Sequence, residues 1–252
     1  MMDIWSRCQG ERHIRPIEGV LFRLVESQEQ VATIGYVDTL EEQAVLEELL
    51  ETSKPDYPEV LRSERHYLLK TPFRYPPLPW GSRFGCVHEP GLFYGGRSVD
   101  ATLAESAYYR FVFLWSMDGT PPTDKLNSEH TLFSVGYSTA IGVQLQRPPF
   151  DEFTAQMAHP RDYSASQTLG SRMRAAGVEA FEYPSARAAG HQLCGALFTP
   201  RALADRAPRS CERWFCELTP ARVTFKPAGT GPVYGFELTD FLVHGALPVP
   251  PP

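Results

Sequence analysis

Three polar side chains of different chemistry, Arg83, Tyr94 and Glu105, stand eleven residues apart in turn along a chain of 252 residues, each in a different local context. Arg83 lies in the turn-like run Ser82-Arg83-Phe84-Gly85. Tyr94 closes a short apolar run before Gly95-Gly96, and Glu105 falls inside a helical pattern. An arginine fork can hold ribose or phosphate oxygens, and a tyrosine offers a flat face to an aromatic ring plus a hydroxyl. A carboxylate stabilises the oxocarbenium-like charge that grows when a glycosidic bond breaks. Farther along, Ser185 in Tyr183-Pro184-Ser185-Ala186-Arg187 is a hydrogen-bond donor, and no His and Asp are placed to turn it into a nucleophile. Arg23, a lone charge in the apolar run 19–25, either binds phosphate or pairs with a buried carboxylate. Tyr109, one helical turn past Glu105, either lines a cleft or packs in the core. Taken singly, each of these residues also has a plain structural reading, as a solvated carboxylate, a rim aromatic, a loop-anchoring arginine or a turn serine.

The elements that must position them follow from periodicity and punctuation. Residues 19–25 read as a short buried strand. Asp38 to Ser53 reads as a helix, with Asp38 as cap, Glu41 completing a capping box and Lys54-Pro55 as the stop. Four prolines within residues 71–81 predict an extended connector that is neither helix nor central strand. Leu92-Phe93-Tyr94 reads as a strand broken by Gly95-Gly96. The clearest element is a helix over 99–115: Ser98 caps it, Asp100 suits its first turn, and Leu103, Ala107, Phe111 and Leu114 share one face. Glu105 lies off that face and can look into a cleft. Alternation predicts strands at 130–137 and 140–145 around a turn at Ser138-Thr139, and a helix runs over 165–176 with Gly177 as its stop. Further strands fit 178–181, 192–198, 214–218 and 222–225. Short sequential strands with few helices favour an α+β fold over a doubly wound parallel sheet. The connector at 71–81 suggests a seam between an N-terminal elaboration, residues 1–77, packed on a core of residues 78–252 as one compact unit.

Composition narrows the function classes. Twenty-four Lys and Arg against 30 Asp and Glu leave a formal charge of −6 with no dense basic run, which argues against direct nucleic-acid binding. The longest bulky apolar run, Phe111 to Trp115, is far too short to span a bilayer, and Met1 to Cys8 shows no signal segment, so a cytoplasmic location without membrane association is expected. The five dispersed cysteines include no Cys-x-x-Cys pair, and the seven histidines include no His-Glu-x-x-His, so no metal is expected. Gly136-Tyr-Ser138-Thr-Ala140 lacks the second glycine of a hydrolase elbow, and Gly229-Thr-Gly231-Pro-Val-Tyr-Gly235 has the wrong spacing for a dinucleotide fingerprint.

Four segments in order, Arg83-Phe84-Gly85, Gly91 to Gly96, Ala101 to Glu105 and Tyr183 to Arg187, resemble the RES-domain family over roughly residues 78–200, and Phe22-Arg23 looks like that family's early strand. The resemblance implies a toxin of a bacterial toxin–antitoxin pair with an ADP-ribosyltransferase-like core: short, mostly antiparallel strands in a split sheet with flanking helices. It implies NAD as substrate and cleavage of the nicotinamide–ribose bond, with ADP-ribose passed to water or phosphate. An Xre-type helix-turn-helix antitoxin would be the partner. On this likeness Glu105, Arg83 and Tyr94 are the catalytic candidates, and Arg83, Tyr94, Ser185, Arg23 and Tyr109 are the residues that would hold the dinucleotide. Two alternatives remain at this point. One is a mono-ADP-ribosyltransferase acting on a host protein, and the other is a non-catalytic module using a nucleotide cleft to recruit a partner.

Overall fold

The computed structural model describes residues 3–27, 37–57, 65–118 and 124–249. A short helix α1 (Ile4–Arg7), capped by Asp3, precedes β1 (Arg15–Glu26); α2 (Leu40–Thr52) and α3 (Tyr67–Arg74) follow. Then come β2 (Phe93–Gly96), α4 (Val99–Trp115) and the long β3 (Leu126–Gln144). After α5 (Thr154–Met157) and α6 (Ser164–Ala175), the chain forms β4 (Ala180–Pro184), β5 (Leu193–Leu197), β6 (Ser210–Leu218), β7 (Arg222–Pro227) and β8 (Tyr234–Glu237). The fold is α+β. No helix among the described residues is long and apolar enough to cross a membrane.

All eight strands join one sheet in the order β1-β2-β5-β4-β3-β6-β7-β8, antiparallel at every step except β3–β4. The split expected between two halves is bridged by β3, whose 19 residues let it belong to both. Its first half pairs with β6 and its last three residues with β4, while its other edge runs along β1 from Glu26↔His130 to Arg15↔Gly142. Because β1 touches both β2 and β3, the strands β1-β2-β5-β4-β3 close into a ring. Leu21, Phe93, Phe133 and Val135 form a buried cluster with Leu69 and Phe73 of α3. On the opposite face α4 lays Leu103, Ala107, Phe111 and Leu114 against β6 and β7, where Trp214, Val223 and Phe225 are buried.

Helix α4 has the bounds, cap and buried face that its sequence predicts, with Ser98 Oγ accepting from Ala101 N at 3.1 Å. Several expectations need correction. Residues 71–74 are helical in spite of Pro72: in an eight-residue helix one proline removes a single hydrogen bond, and burial of Leu69 and Phe73 offsets it. Thr39, not Asp38, caps α2, accepting from Glu42 N, while Glu42 reaches back to Asp38 N. Gly95-Gly96 does not break β2 but belongs to it. A Cβ on Gly95 would lie 2.8 Å from Phe22 O and one on Gly96 2.7 Å from Thr102 N, so glycine is what lets β1 and α4 approach this closely. Ser138-Thr139 is no turn: both pair with β1, and Thr139 Oγ1 donates to Glu179 at 2.5 Å. Within residues 1–77, β1 pairs with both β2 and β3 and so belongs to the ring.

Candidate active site

A cavity of about 700 Å³ opens between β1, β2, α3 and α4, within the range of small-molecule sites. Arg23, Arg83, Tyr94, Glu105 and Tyr109 all line it. Five of the six residues singled out from sequence therefore meet in one hollow. Ser185 does not line it and is fully buried.

Each side chain is held by a nameable device. Glu105 projects from the second turn of α4, off the apolar face that docks on the sheet, and is half-buried. Its Oε1 accepts from Ser185 Oγ at 2.5 Å. That hydroxyl in turn accepts from Arg187 N at 3.0 Å and Ala188 N at 2.9 Å. With its lone pairs used by two backbone donors, Ser185 has only its proton to offer, and Glu105 takes it. The serine thus orients the carboxylate from behind the cavity wall, which it does not itself line.

Tyr94 ends the apolar part of β2. Its hydroxyl accepts from Phe84 N at 3.1 Å and shares a hydrogen bond with Ser82 Oγ at 2.9 Å. The phenol therefore staples residues 82–84, the turn that carries Arg83, and what faces the cavity is the ring. Desolvation raises its pKa above the ordinary tyrosine value, against the opposing hydrogen bonds. Arg83 Nη1 donates to the carbonyls of Met157 (3.1 Å) and His159 (2.9 Å), and its guanidinium lies 4.4 Å from the centre of the Tyr163 ring. Among the described residues no hydrogen bond engages its Nη2 or Nε.

Arg23 is half-buried on β1. Nη1 donates to Tyr94 O at 2.9 Å, and the group stacks 5.2 Å from the Phe93 ring. No carboxylate pairs with it among the described residues. Desolvation lowers its pKa to about 10, so it stays charged at neutral pH. A half-buried guanidinium that faces a cavity with no counter-ion among the described residues has donors suited to an anion. Tyr109 rims the mouth, about half exposed.

Residues that sequence reasoning did not single out complete the walls. His130 lies at the far end, buried and hydrogen-bonded through Nε2 to Ser128 Oγ at 2.9 Å. Desolvation lowers its pKa to about 4. Cys194 and Tyr183, facing each other across β4 and β5, form the floor, and burial pushes the Cys194 thiol up. His130 and Cys194 carry no local signal, because strand register places them.

A family model of the RES domain matches residues 59–217, a span that contains Arg83, Tyr94, Glu105 and Ser185. The chain belongs to the RES-domain family. That family is associated with enzymes acting on NAD. No curated protein matches the chain. Arg23, on β1, lies outside the matched span, so the RES cavity here is completed by a strand that precedes it.

Proposed function

We propose that this RES protein binds NAD in the cavity and cleaves its nicotinamide–ribose bond, passing ADP-ribose to water or phosphate. The observation that carries this reading is a carboxylate, Glu105, pinned by Ser185 at the edge of a cavity that also holds two guanidinium groups, Arg23 and Arg83. NAD has a pyrophosphate of two negative charges, and two arginines with unused N–H donors match it in number and type. The ring of Tyr94 offers a face to nicotinamide or adenine.

In the reaction the C1′–N bond breaks, its electron pair goes to the pyridinium nitrogen, and neutral nicotinamide leaves. Positive charge appears on C1′ and the ring oxygen of the ribose, where a fixed carboxylate stabilises the transition state more than the ground state. Water or phosphate bonds to C1′ and, if water, gives up a proton to solvent. No side chain becomes covalently attached. Growth arrest by loss of NAD, relieved by an Xre-type antitoxin that covers the cleft, is the biological role this chemistry suits.

The test is incubation of the purified protein with NAD labelled in the ADP-ribose part, with and without phosphate and with cell lysate. Release of nicotinamide with free ADP-ribose or its phosphate ester supports the reading. A discrete labelled protein band would shift the acceptor to a host protein, and intact NAD in every sample would overturn the assignment.

A further inference from the structure

Arg83 and Arg187, one from the first RES-like motif and one from the last, close on a single short segment, residues 157–163, which runs from the last residue of α5 to the start of α6. From one side Arg83 donates to the carbonyls of Met157 and His159 and lies over the ring of Tyr163. From the other side Arg187 Nη2 donates to Pro160 O at 2.8 Å and approaches the Tyr163 hydroxyl at 3.4 Å. Tyr163 is buried, 3% exposed, and does not line the cavity. The segment is itself rigidly wired: His159 Nδ1 accepts from Asp162 N at 2.8 Å, and Asp162 Oδ1 accepts from Ser164 N at 2.9 Å at the start of α6.

We propose that Tyr163 is a positioning residue for Arg83. An arginine has a long, flexible side chain, and ordering it at the moment of binding weakens affinity unless the fold has ordered it beforehand. Here the two carbonyls occupy Nη1 and the tyrosine ring covers one face of the guanidinium, so that Nη2 and Nε stay directed at the ligand. Arg187 fixes the platform from behind. It also stacks 3.5 Å from the ring of Tyr108, three residues past Glu105 on α4, and its backbone N–H is one of the two that pin Ser185. The segment 157–163 therefore links the guanidinium to the carboxylate through the bond of Arg187 to Pro160 O and through Ser185, across elements that no sequence motif joins. The ring is the working part, since the contact of its hydroxyl with Arg187 is long.

The experiment compares Tyr163→Leu, which removes the ring, with Tyr163→Phe, which keeps it. The first readout needs no ligand: ¹⁵N relaxation of the Arg83 Nε–H signal, assigned with Arg83→Lys. The second is KM and kcat for NAD, and this arm rests on the proposed function. Wild type and Tyr163→Phe should show an ordered Arg83. Tyr163→Leu should show a mobile one, with KM raised roughly five- to tenfold, the scale of a lost cation–π contact, and kcat held within about twofold. If the leucine variant does not fold, Tyr163→Met serves the same purpose with a more adaptable side chain. An Arg83 as ordered without the ring as with it overturns the proposal. So does a phenylalanine variant that behaves like leucine, or a fall in kcat with KM unchanged. Should wild type neither bind nor cleave NAD, the functional reading fails, and the relaxation data alone decide whether Tyr163 positions Arg83.

Discussion

Glu182 and Glu105 are carboxylates in two neighbouring regions of one molecule, and their wiring is opposite. Glu182, on β4, is almost fully buried and saturated with donors: Arg97 and Tyr137 on Oε1, Gln144 and Gln146 on Oε2. Burial alone would raise its pKa, but the hydrogen bonds from Tyr137, Gln144 and Gln146 and the charge of Arg97 outweigh that, and the pKa lies below the ordinary value. Glu105 has one donor among the described residues, Ser185, and a cavity on its other side. The arginines repeat the contrast, since Arg97 is paired with Glu182 while Arg23 is paired with no carboxylate among the described residues. A saturated polar network holds a fold in one arrangement, whereas an under-coordinated carboxylate beside an under-coordinated cation leaves capacity for a ligand.

If that contrast is right, the two glutamates should fail in different ways. Glu182→Ala leaves Arg97, Tyr137 and two glutamines without their acceptor, and should lower stability by about 3–5 kcal/mol, the scale of breaking a buried ion pair from one side. Urea denaturation followed by circular dichroism measures it, and a loss below about 0.5 kcal/mol, the scale of an ordinary surface change, would erase the distinction. Glu105→Gln keeps an oxygen for Ser185 and should leave stability nearly unchanged. Its rate of NAD cleavage should fall on the order of 10²–10³, as when one electrostatic stabiliser of a transition state is removed. A variant as active as wild type would place Glu105 with Glu182 among the structural carboxylates.

How far the sequence could be read follows the same division between local and distant causes. Helix α4 was legible end to end because Ser98 and the apolar residues at 103, 107, 111 and 114 are local signals, and they also place Glu105 off the packed face. Gly95-Gly96 misled because its cause is distant: the backbone of Phe22 and of Thr102 leaves no space for a Cβ. Thr139 read as a turn residue because its partner, Glu179, lies forty residues on. The residue types that could do chemistry were visible, and the strand–turn–helix order correctly suggested that Tyr94 and Glu105 share a cleft. What orients them was hidden. Ser185 reaches Glu105 across eighty positions, and Tyr163 reaches Arg83 across the same distance, so only tertiary packing brings them together.

His130 offers a separation by pH. Desolvation, helped by the nearby Arg110 charge, lowers its pKa to about 4, so the folded protein keeps it neutral while the unfolded chain takes up a proton near pH 6.5. Its contribution to stability is present above pH 6.5 and is lost as pH falls through that value toward 4, a total of about 3 kcal/mol by linkage. Glu182 also has a lowered folded pKa, so its contribution too is lost on acidification, but in a lower window, beneath the ordinary carboxylate value of about 4.3. Stability measured by urea titration from pH 8 to 3 should therefore fall in two stages. His130→Gln should flatten the upper stage and leave the lower one, and an unchanged upper slope would show that another group controls it.

The smallest effect tests the device that distinguishes Glu105 most directly. In Ser185→Ala the carboxylate loses its donor from Ser185 and two backbone N–H groups lose their acceptor, so about 1 kcal/mol of stability should go with them. Because Ser185 is fully buried behind Glu105 and does not line the cavity, its removal should act on the chemical step: kcat for NAD should drop roughly tenfold while KM stays within about twofold. Ser185→Thr, which restores the hydroxyl, should recover part of that loss. The opposite pattern, a raised KM with kcat held, would mean that the hydroxyl meets the dinucleotide itself. Glu105 would then stand in the cleft without a fixed partner, and the difference between the two carboxylates would reduce to burial.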